Sequence, residues 1–192
     1  MLAAKDKSVK ALTGGVEGLL KKNKVDYIKG FATFKEPTVL NIDPIDSGSA
    51  YEIQGKNIII AVGSEVVPFP GIEVDEKQVV SSTGALDLQK VPEKMLVIGG
   101  GIIGLELGSV WNRLGASVDV VEFLPTIGGA GIDGEVASSF QKILKKQGLN
   151  FRLNTKVLSM DKRDGKCFLK VESAKDGKQE EVSIAIEQLE RD

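Results

Sequence analysis

The stretch "KMLVIGGGIIGLELG", residues 94–108, decides the reading of this chain. It runs from an apolar segment into glycines at 99, 100, 101, 104 and 108. Glycine weakens both strands and helices, so such a cluster needs a reason. Residues 94–98 read as a strand and 101–114 as a helix. The spacing Gly99-x-Gly101-x-x-Gly104 between them divides the work. Gly99 permits a tight turn, Gly101 lets backbone N–H groups reach a pyrophosphate, and Gly104 lets the helix lie close on the sheet. The helix start offers unpaired donors and a positive dipole end to an anion.

The next strand candidate, "SVDVVE", closes on Glu122. That is near the ~20-residue offset at which an acid meets an adenosine ribose. A carboxylate accepts from two ribose hydroxyls but repels a 2′-phosphate. The following residues, Phe123, Leu124 and Pro125, include no arginine to pair one. The pattern therefore predicts NAD rather than NADP.

The alternation continues outward. Residues 133–147 form an amphipathic helix with Val136, Phe140, Ile143 and Leu144 on its apolar face. Gly148 follows, where a left-handed cap is favoured. "NFRLNTKV", 150–157, adds a strand. Strand–helix alternation specifies parallel βαβ units. From 156 to 188, Asp-Gly pairs at 164–165 and 176–177 separate apolar alternations, the pattern of an antiparallel meander.

Before the glycine unit, a helix over 8–22 places Val9, Leu12, Val16, Leu19 and Leu20 on one face. Its Gly14, Gly15 and Gly18 predict a closely packed partner. Short strands are expected at 25–29, 38–42 and 51–53, with the turn cluster "DPIDSGS" between the last two. "NIIIAVGS", 57–64, reads as a buried strand ending in a glycine turn. "VVPFPGI", 66–72, reads as a connector. "SSTGALDLQKVPEK", 81–94, reads as a short helix before a proline-marked boundary.

The 192 residues suffice for one large domain or two small ones. A net charge of −2 gives no basic excess to hold nucleic acid. The apolar runs are far shorter than the ~20 residues that cross a bilayer, so no membrane span is expected. Cys167 is the sole cysteine and histidine is absent. No intrachain disulfide can form, no paired-cysteine metal site is possible, and the commonest general base and zinc ligand are missing. No metal site is expected. The start, "MLAAKDKSVK", resembles neither a secretory signal nor an arginine-rich transit peptide.

Four strings carry a family resemblance: "ALTGGVEGLLKKNKVDYIKG" (11–30), "NIIIAVGSEVVPFPGI" (57–72), "VVSSTGALDLQKVPEKMLVIGGGIIGLELGSVWNRLGASVDVVEF" (79–123) and "GGAGIDGEVASSFQKILKKQGLNFRLNTKV" (128–157). They resemble the dihydrolipoyl dehydrogenases, the FAD- and NAD-dependent disulfide reductases of 2-oxo acid dehydrogenase complexes. The pyruvate dehydrogenase complex is one of these, and the family serves redox homeostasis. The resemblance runs from Met1 to about Val157. It implies an α/β, Rossmann-like FAD/NAD(P)-binding fold with a parallel sheet and an antiparallel β-meander, incomplete relative to the family. Residues 1–90 would be the C-terminal part of an FAD domain. Residues 91–192 would be an NAD domain, truncated or divergent at its end.

The same resemblance assigns residues. Gly99, Gly100, Gly101, Ile102, Ile103, Gly104, Leu105 and Glu106 would form the NAD loop and helix start, with Glu106 near the nicotinamide. Glu122 would bind the ribose, and Val157 would offer backbone contact to adenine, or else be an ordinary strand residue. Ala32 would meet the adenine end of FAD. Val62, Gly63 and Ser64 would pass beside the flavin, or else belong to a core strand. Val62 stands where the family carries threonine, and Ala32 where it often carries glycine.

The family reaction passes electrons from a dithiol through an enzyme disulfide and flavin to NAD. It uses a cysteine pair and a histidine–glutamate pair contributed across a dimer interface. Cys167 has no partner here, and it reads as a packed small residue. No catalytic residue is therefore assigned. The chain is expected to be inactive alone, with homodimerisation not expected. The alternative is a stand-alone, non-catalytic dinucleotide-binding module. The region 57–62 is also expected to lose strand neighbours and show an apolar edge. The family implies the mitochondrial matrix in a eukaryote and otherwise the cytoplasm, with 2-oxo acid dehydrogenase components as partners.

Overall fold

A computed structural model of the chain describes residues 1–163 and 166–185. Its contacts divide the chain into two compact units, Met1–Glu65 and Val66–Asp192.

The first unit opens with helix α1, Leu2–Lys22. An antiparallel sheet follows in the order β1 (Gly30–Glu36), β2 (Val39–Pro44), β3 (Tyr51–Gln54). The register pairs Ala32 with Ile42 and Leu40 with Ile53. Strand β1 starts later than the sequence suggests: residues 25–29 form no strand, and Lys24 already turns the chain at φ 55°. The α1 face carrying Val9, Leu12, Val16 and Leu19 is present, yet each of these side chains is more than half exposed. A Cβ on Gly14, Gly15 or Gly18 would meet nothing within 4 Å. The close packing expected at those glycines is not found among the described residues. Residues 57–64 correct a second expectation. They form no strand, and Ile59, Ile60 and Val62 are 90%, 69% and 89% exposed. A strand is held by ladder hydrogen bonds, and among the described residues no strand pairs with this segment. The apolar exposure expected of 57–62 is present.

The second unit is layered. Parallel strands β4 (Lys94–Ile98), β5 (Ser117–Val121) and β6 (Asn150–Arg152) lie in that order. Helices α3 (Ile102–Arg113) and α4 (Gly134–Lys146) provide the crossovers, after a short α2 (Ser82–Ala85). Strands β7 (Thr155–Arg163), β8 (Lys166–Ser173) and β9 (Gln179–Ala185) form the antiparallel meander. The Asp176–Gly177 turn is present with Gly177 at φ 70°. The Asp164–Gly165 turn and residues 186–192 lie outside the described residues. Side chains of a strand alternate between faces, and the core follows that rule. Val118 and Val120 pack with Leu105, Trp111 and Leu144 on the helix side, joined by Met95 and Val97. Val121 and Leu96 turn the other way, onto Val157, Cys167, Leu169 and Val171 of the meander.

Helix α4 starts where its sequence says. The Asp133 carboxylate accepts from the amides of Glu135 (2.9 Å) and Val136 (3.2 Å), satisfying two N-terminal donors. Its buried stripe is Ala137 and Leu144 with Phe140 partly buried, while Val136 and Ile143 are 58% and 49% exposed. The expected face is thus rotated toward Ala137, which is buried.

Residues 66–90 pack with the second unit, so the packing boundary falls earlier than the domain boundary read near 90. Two contacts account for this. Trp111 Nε1 donates to the Ala85 carbonyl (3.0 Å). Asp75 holds Lys162 through Oδ2 at 2.5 Å and accepts from the amides of Lys77, Gln78 and Val79 through Oδ1, each at 2.9 Å. Burial pushes the Asp75 carboxyl up, but the Lys162 ammonium and the three loop amides more than reverse this. The group is held well below the usual carboxylate range.

Leu144→Ala should cost about 2–5 kcal/mol in urea unfolding, whereas Ile143→Ala and Val136→Ala should stay within about 0.5 kcal/mol of the parent. Similar losses at 143 and 144 would contradict the rotated face. Asp75→Asn should lower stability at pH 7 by about 1–2 kcal/mol. A depressed folded-state pKa gives stability that is present above the unfolded value and lost as pH falls. The gap between parent and Asp75→Asn should therefore narrow as pH drops below about 4; a constant gap in urea titrations would contradict the assignment.

Candidate functional site

The site lies at the carboxyl end of β4. The Gly99 amide still bonds the Val121 carbonyl (2.8 Å), so the sheet ladder continues one residue past the strand. Gly99 then turns the chain at φ 103°, a conformation that favours glycine. Gly101 is the N-cap of α3, and no side chain caps the helix. The first amides of a helix have no intrahelical acceptor. Residues 99–106 contain no lysine or arginine, so an anion here would be held by backbone donors and the helix dipole.

Gly99 and Gly104 fill the structural roles their spacing predicts, a turn and a close helix seat. A Cβ on Gly104 would approach the Gly99 carbonyl oxygen to 2.7 Å and Val97 Cγ1 to 2.9 Å. A Cβ on Gly108 would lie 3.3 Å from Val118 Cγ1 and 3.4 Å from Val97 Cγ2. These positions let α3 sit directly on β4 and β5. At Gly99 and Gly101, by contrast, a Cβ would meet nothing within 4 Å. That open side is the space a diphosphate needs, so the turn fits the dinucleotide inferred from its sequence.

Glu122 is brought to the turn. Its Oε2 accepts from the Gly100 amide (2.6 Å) and its Oε1 from the Leu124 amide (2.7 Å). Its own backbone is fixed on both sides, the amide to the Arg152 carbonyl and the carbonyl to the Thr155 amide, each at 2.9 Å. A carboxylate has about four lone-pair sites, so each oxygen keeps one for a ribose hydroxyl.

The remaining residues separate. Ile102 and Ile103 are 41% and 62% exposed, and Glu106 is exposed on the same helix. Leu105 is fully buried and its amide bonds Gly101, so its side chain serves the core. Val157 is buried on β7 opposite Val171, beside a bulge. A cleft of about 800 Å³ runs along β4 past Gly99 and Gly101–Gly104, and Gly128 and Gly129 also line it. The Gly128 amide donates to the Gly100 carbonyl at 2.7 Å. Sequence reasoning assigned this second glycine segment no role, although the run "GGAG" at 128–131 is its signal. Cys167 is buried in the meander core, and burial pushes its thiol up; a scarce thiolate is a poor nucleophile.

The residues linked to FAD lie in the first unit. Ala32 is exposed on β1, Val62 and Ser64 are exposed, and Gly63 has nothing near its Cβ position. Among the described residues no His, Cys, Asp and Glu cluster suits a metal ion, and no helix is long and apolar enough to cross a membrane.

The family model for pyridine nucleotide-disulphide oxidoreductases matches residues 2–188. The chain is 54% identical over 186 residues to dihydrolipoamide dehydrogenase of Chaetomium thermophilum, covering 97% of this chain and 37% of that one. It is 57% identical over 180 residues to the mitochondrial dihydrolipoyl dehydrogenase of Caenorhabditis elegans, covering 94% and 36%. The human mitochondrial enzyme is 53% identical over 187 residues, covering 97% and 36%. The chain thus spans little more than a third of these relatives. Among solved structures, the HOCl-induced flavoprotein disulfide reductase RclA from Escherichia coli superposes with a TM-score of 0.75 at 26% identity, covering 96% of this chain and 40% of that one. LpdA from Mycobacterium tuberculosis reaches a TM-score of 0.82 at 20% identity, covering 96% and 40%, a likeness of fold.

Gly104→Ala should force the start of α3 off the sheet and cost about 1–3 kcal/mol, read as a lower urea midpoint. Gly101→Ala, which faces open space, should leave the midpoint within about 0.5 kcal/mol of the parent. Equal effects would contradict the close approach at Gly104.

Proposed function

This chain belongs to the pyridine nucleotide-disulphide oxidoreductase family, and on that premise we propose that it is the NAD-binding portion of a dihydrolipoyl dehydrogenase-like flavoprotein. The observation that carries this reading is the joint geometry of Glu122 and the glycine turn. One carboxylate is fixed against the turn by the Gly100 amide, beside an uncapped helix start.

In this reading the amides at the start of α3 hold the diphosphate. Glu122 receives the ribose hydroxyls and disfavours a 2′-phosphate by charge repulsion. Ile102 and Ile103 give the cleft an apolar wall that limits water near the bound cofactor. Glu106 lies farther along the same helix, toward the nicotinamide end. NAD supplies the hydride-accepting ring when bound; the chain's own residues bind and orient it.

The whole enzyme would oxidise dihydrolipoamide within a 2-oxo acid dehydrogenase complex, as a dimer, in the mitochondrial matrix of a eukaryote. Its relatives are named dihydrolipoyl dehydrogenase, and several are named mitochondrial, which supports this assignment. The chain itself has one cysteine and no histidine. Thiol–disulfide exchange needs a second sulfur, so the reading assigns it nucleotide binding without turnover. The exposed Ala32 and Val62–Ser64 backbone gives no reason to expect retained flavin.

Calorimetry on the purified, colourless chain should show NADH binding at least about tenfold tighter than NADPH, a difference near 1.4 kcal/mol. Glu122→Ala should weaken NADH by about tenfold or more and erase the preference. An unchanged dissociation constant for NADH, or tighter binding of NADPH by the parent, would overturn the assignment.

A further inference from the structure

The peptide of Gly100 is bound on both of its polar groups by partners outside the turn. Its N–H goes to Glu122 Oε2 at 2.6 Å, and its carbonyl accepts the Gly128 N–H at 2.7 Å. With the Gly99 amide fixed to Val121 at 2.8 Å, the orientation of the turn is set before the helix begins. The amides that follow, from Gly101 onward, are the ones left for a ligand.

Gly128 reaches Gly100 only in an unusual conformation. Its φ is 95°, and an added Cβ would press on the Ile132 side chain at 3.2 Å. The neighbouring Ile127 is 1% exposed and sits in the helix-side core. The core therefore anchors one end of the segment, and glycine at 128 lets the chain turn its N–H toward the turn. Gly129 and Gly131 share positive φ values, 80° and 99°, but have open space around them.

We propose that Gly128 is a positioning residue for the diphosphate-binding turn: its N–H, delivered by a left-handed backbone, holds the Gly100 peptide so that the next amides face the anion. The role rests on the nucleotide-binding reading of that turn. It predicts a signature that a purely structural residue lacks. Loss of the Gly128 bond should weaken ligands carrying the diphosphate and spare those lacking it.

The test uses the full chain and its Gly128→Ala variant, with Gly131→Ala as the control for strain in the same loop. Calorimetry measures NADH and adenosine, and ¹⁵N–¹H spectra follow the Gly100 and Gly101 amides without ligand. Emission from the buried Trp111 reports folding. Gly128→Ala should weaken NADH about tenfold, leave adenosine unchanged and move both amide resonances. Gly131→Ala should do none of these. Should Gly128→Ala fail to fold, an ester in place of the 127–128 amide removes the donor and adds no side chain, with the same expected result. Unchanged NADH affinity, equal losses for NADH and adenosine, or the same effect from Gly131→Ala would overturn the role. A parent chain that fails to bind NADH would overturn the nucleotide reading instead. The ligand-free amide shifts then decide separately whether Gly128 holds the turn.

Discussion

The hydrogen bond from the Gly100 amide to the Glu122 carboxylate joins the ends of two neighbouring parallel strands. Much of the second unit can be understood as what places those two groups. The ladder of β4 on β5 delivers residues 99 and 122 side by side. The Arg152 and Thr155 bonds fix the Glu122 backbone, and the Gly100 and Leu124 amides hold its carboxylate. The close seat of α3, allowed at Gly104 and Gly108, brings the helix start to the same point. A charge-assisted bond is about twice as strong as a neutral one, which suits a contact that sets a backbone turn.

The two units differ in how completely they bury their apolar residues. In the second, the sheet is covered by helices on one face and by the meander on the other. Its strands can therefore carry consecutive valines, as in Val120–Val121. In the first, Ile42 is the buried apolar side chain among the described residues, while α1 and the 57–64 segment expose theirs. The hydrophobic effect gives about 25 cal/mol per Å² of apolar surface removed from water. The first unit gains little of it, and the weight of the stability lies with the second unit.

This contrast explains what was legible in the sequence. The strand at 94–98, the helices from 102 and 134, the second strand from 117 and the meander all follow from local signals. Glycine spacing, the Asp133 cap and apolar alternation are determined within a few residues, and the structure keeps them. The buried strand read at 57–64 failed because burial depends on a partner, and an apolar run cannot say whether one is present. The α4 face was misjudged by a small rotation because Ala137 carries little hydrophobic signal yet is buried. At the candidate site, the turn at Gly99 and the close helix seat at Gly104 were readable from spacing. Gly128 was not, since its contribution is a backbone N–H brought in by the path of a loop, and no side chain advertises that.

A crystal of the chain soaked with NAD⁺ tests the account most directly. It predicts the diphosphate against the amides that open α3, and the adenosine ribose on Glu122 with its Gly100 bond intact. A cofactor bound elsewhere, or a cleft that stays empty at saturating NAD⁺, would contradict it.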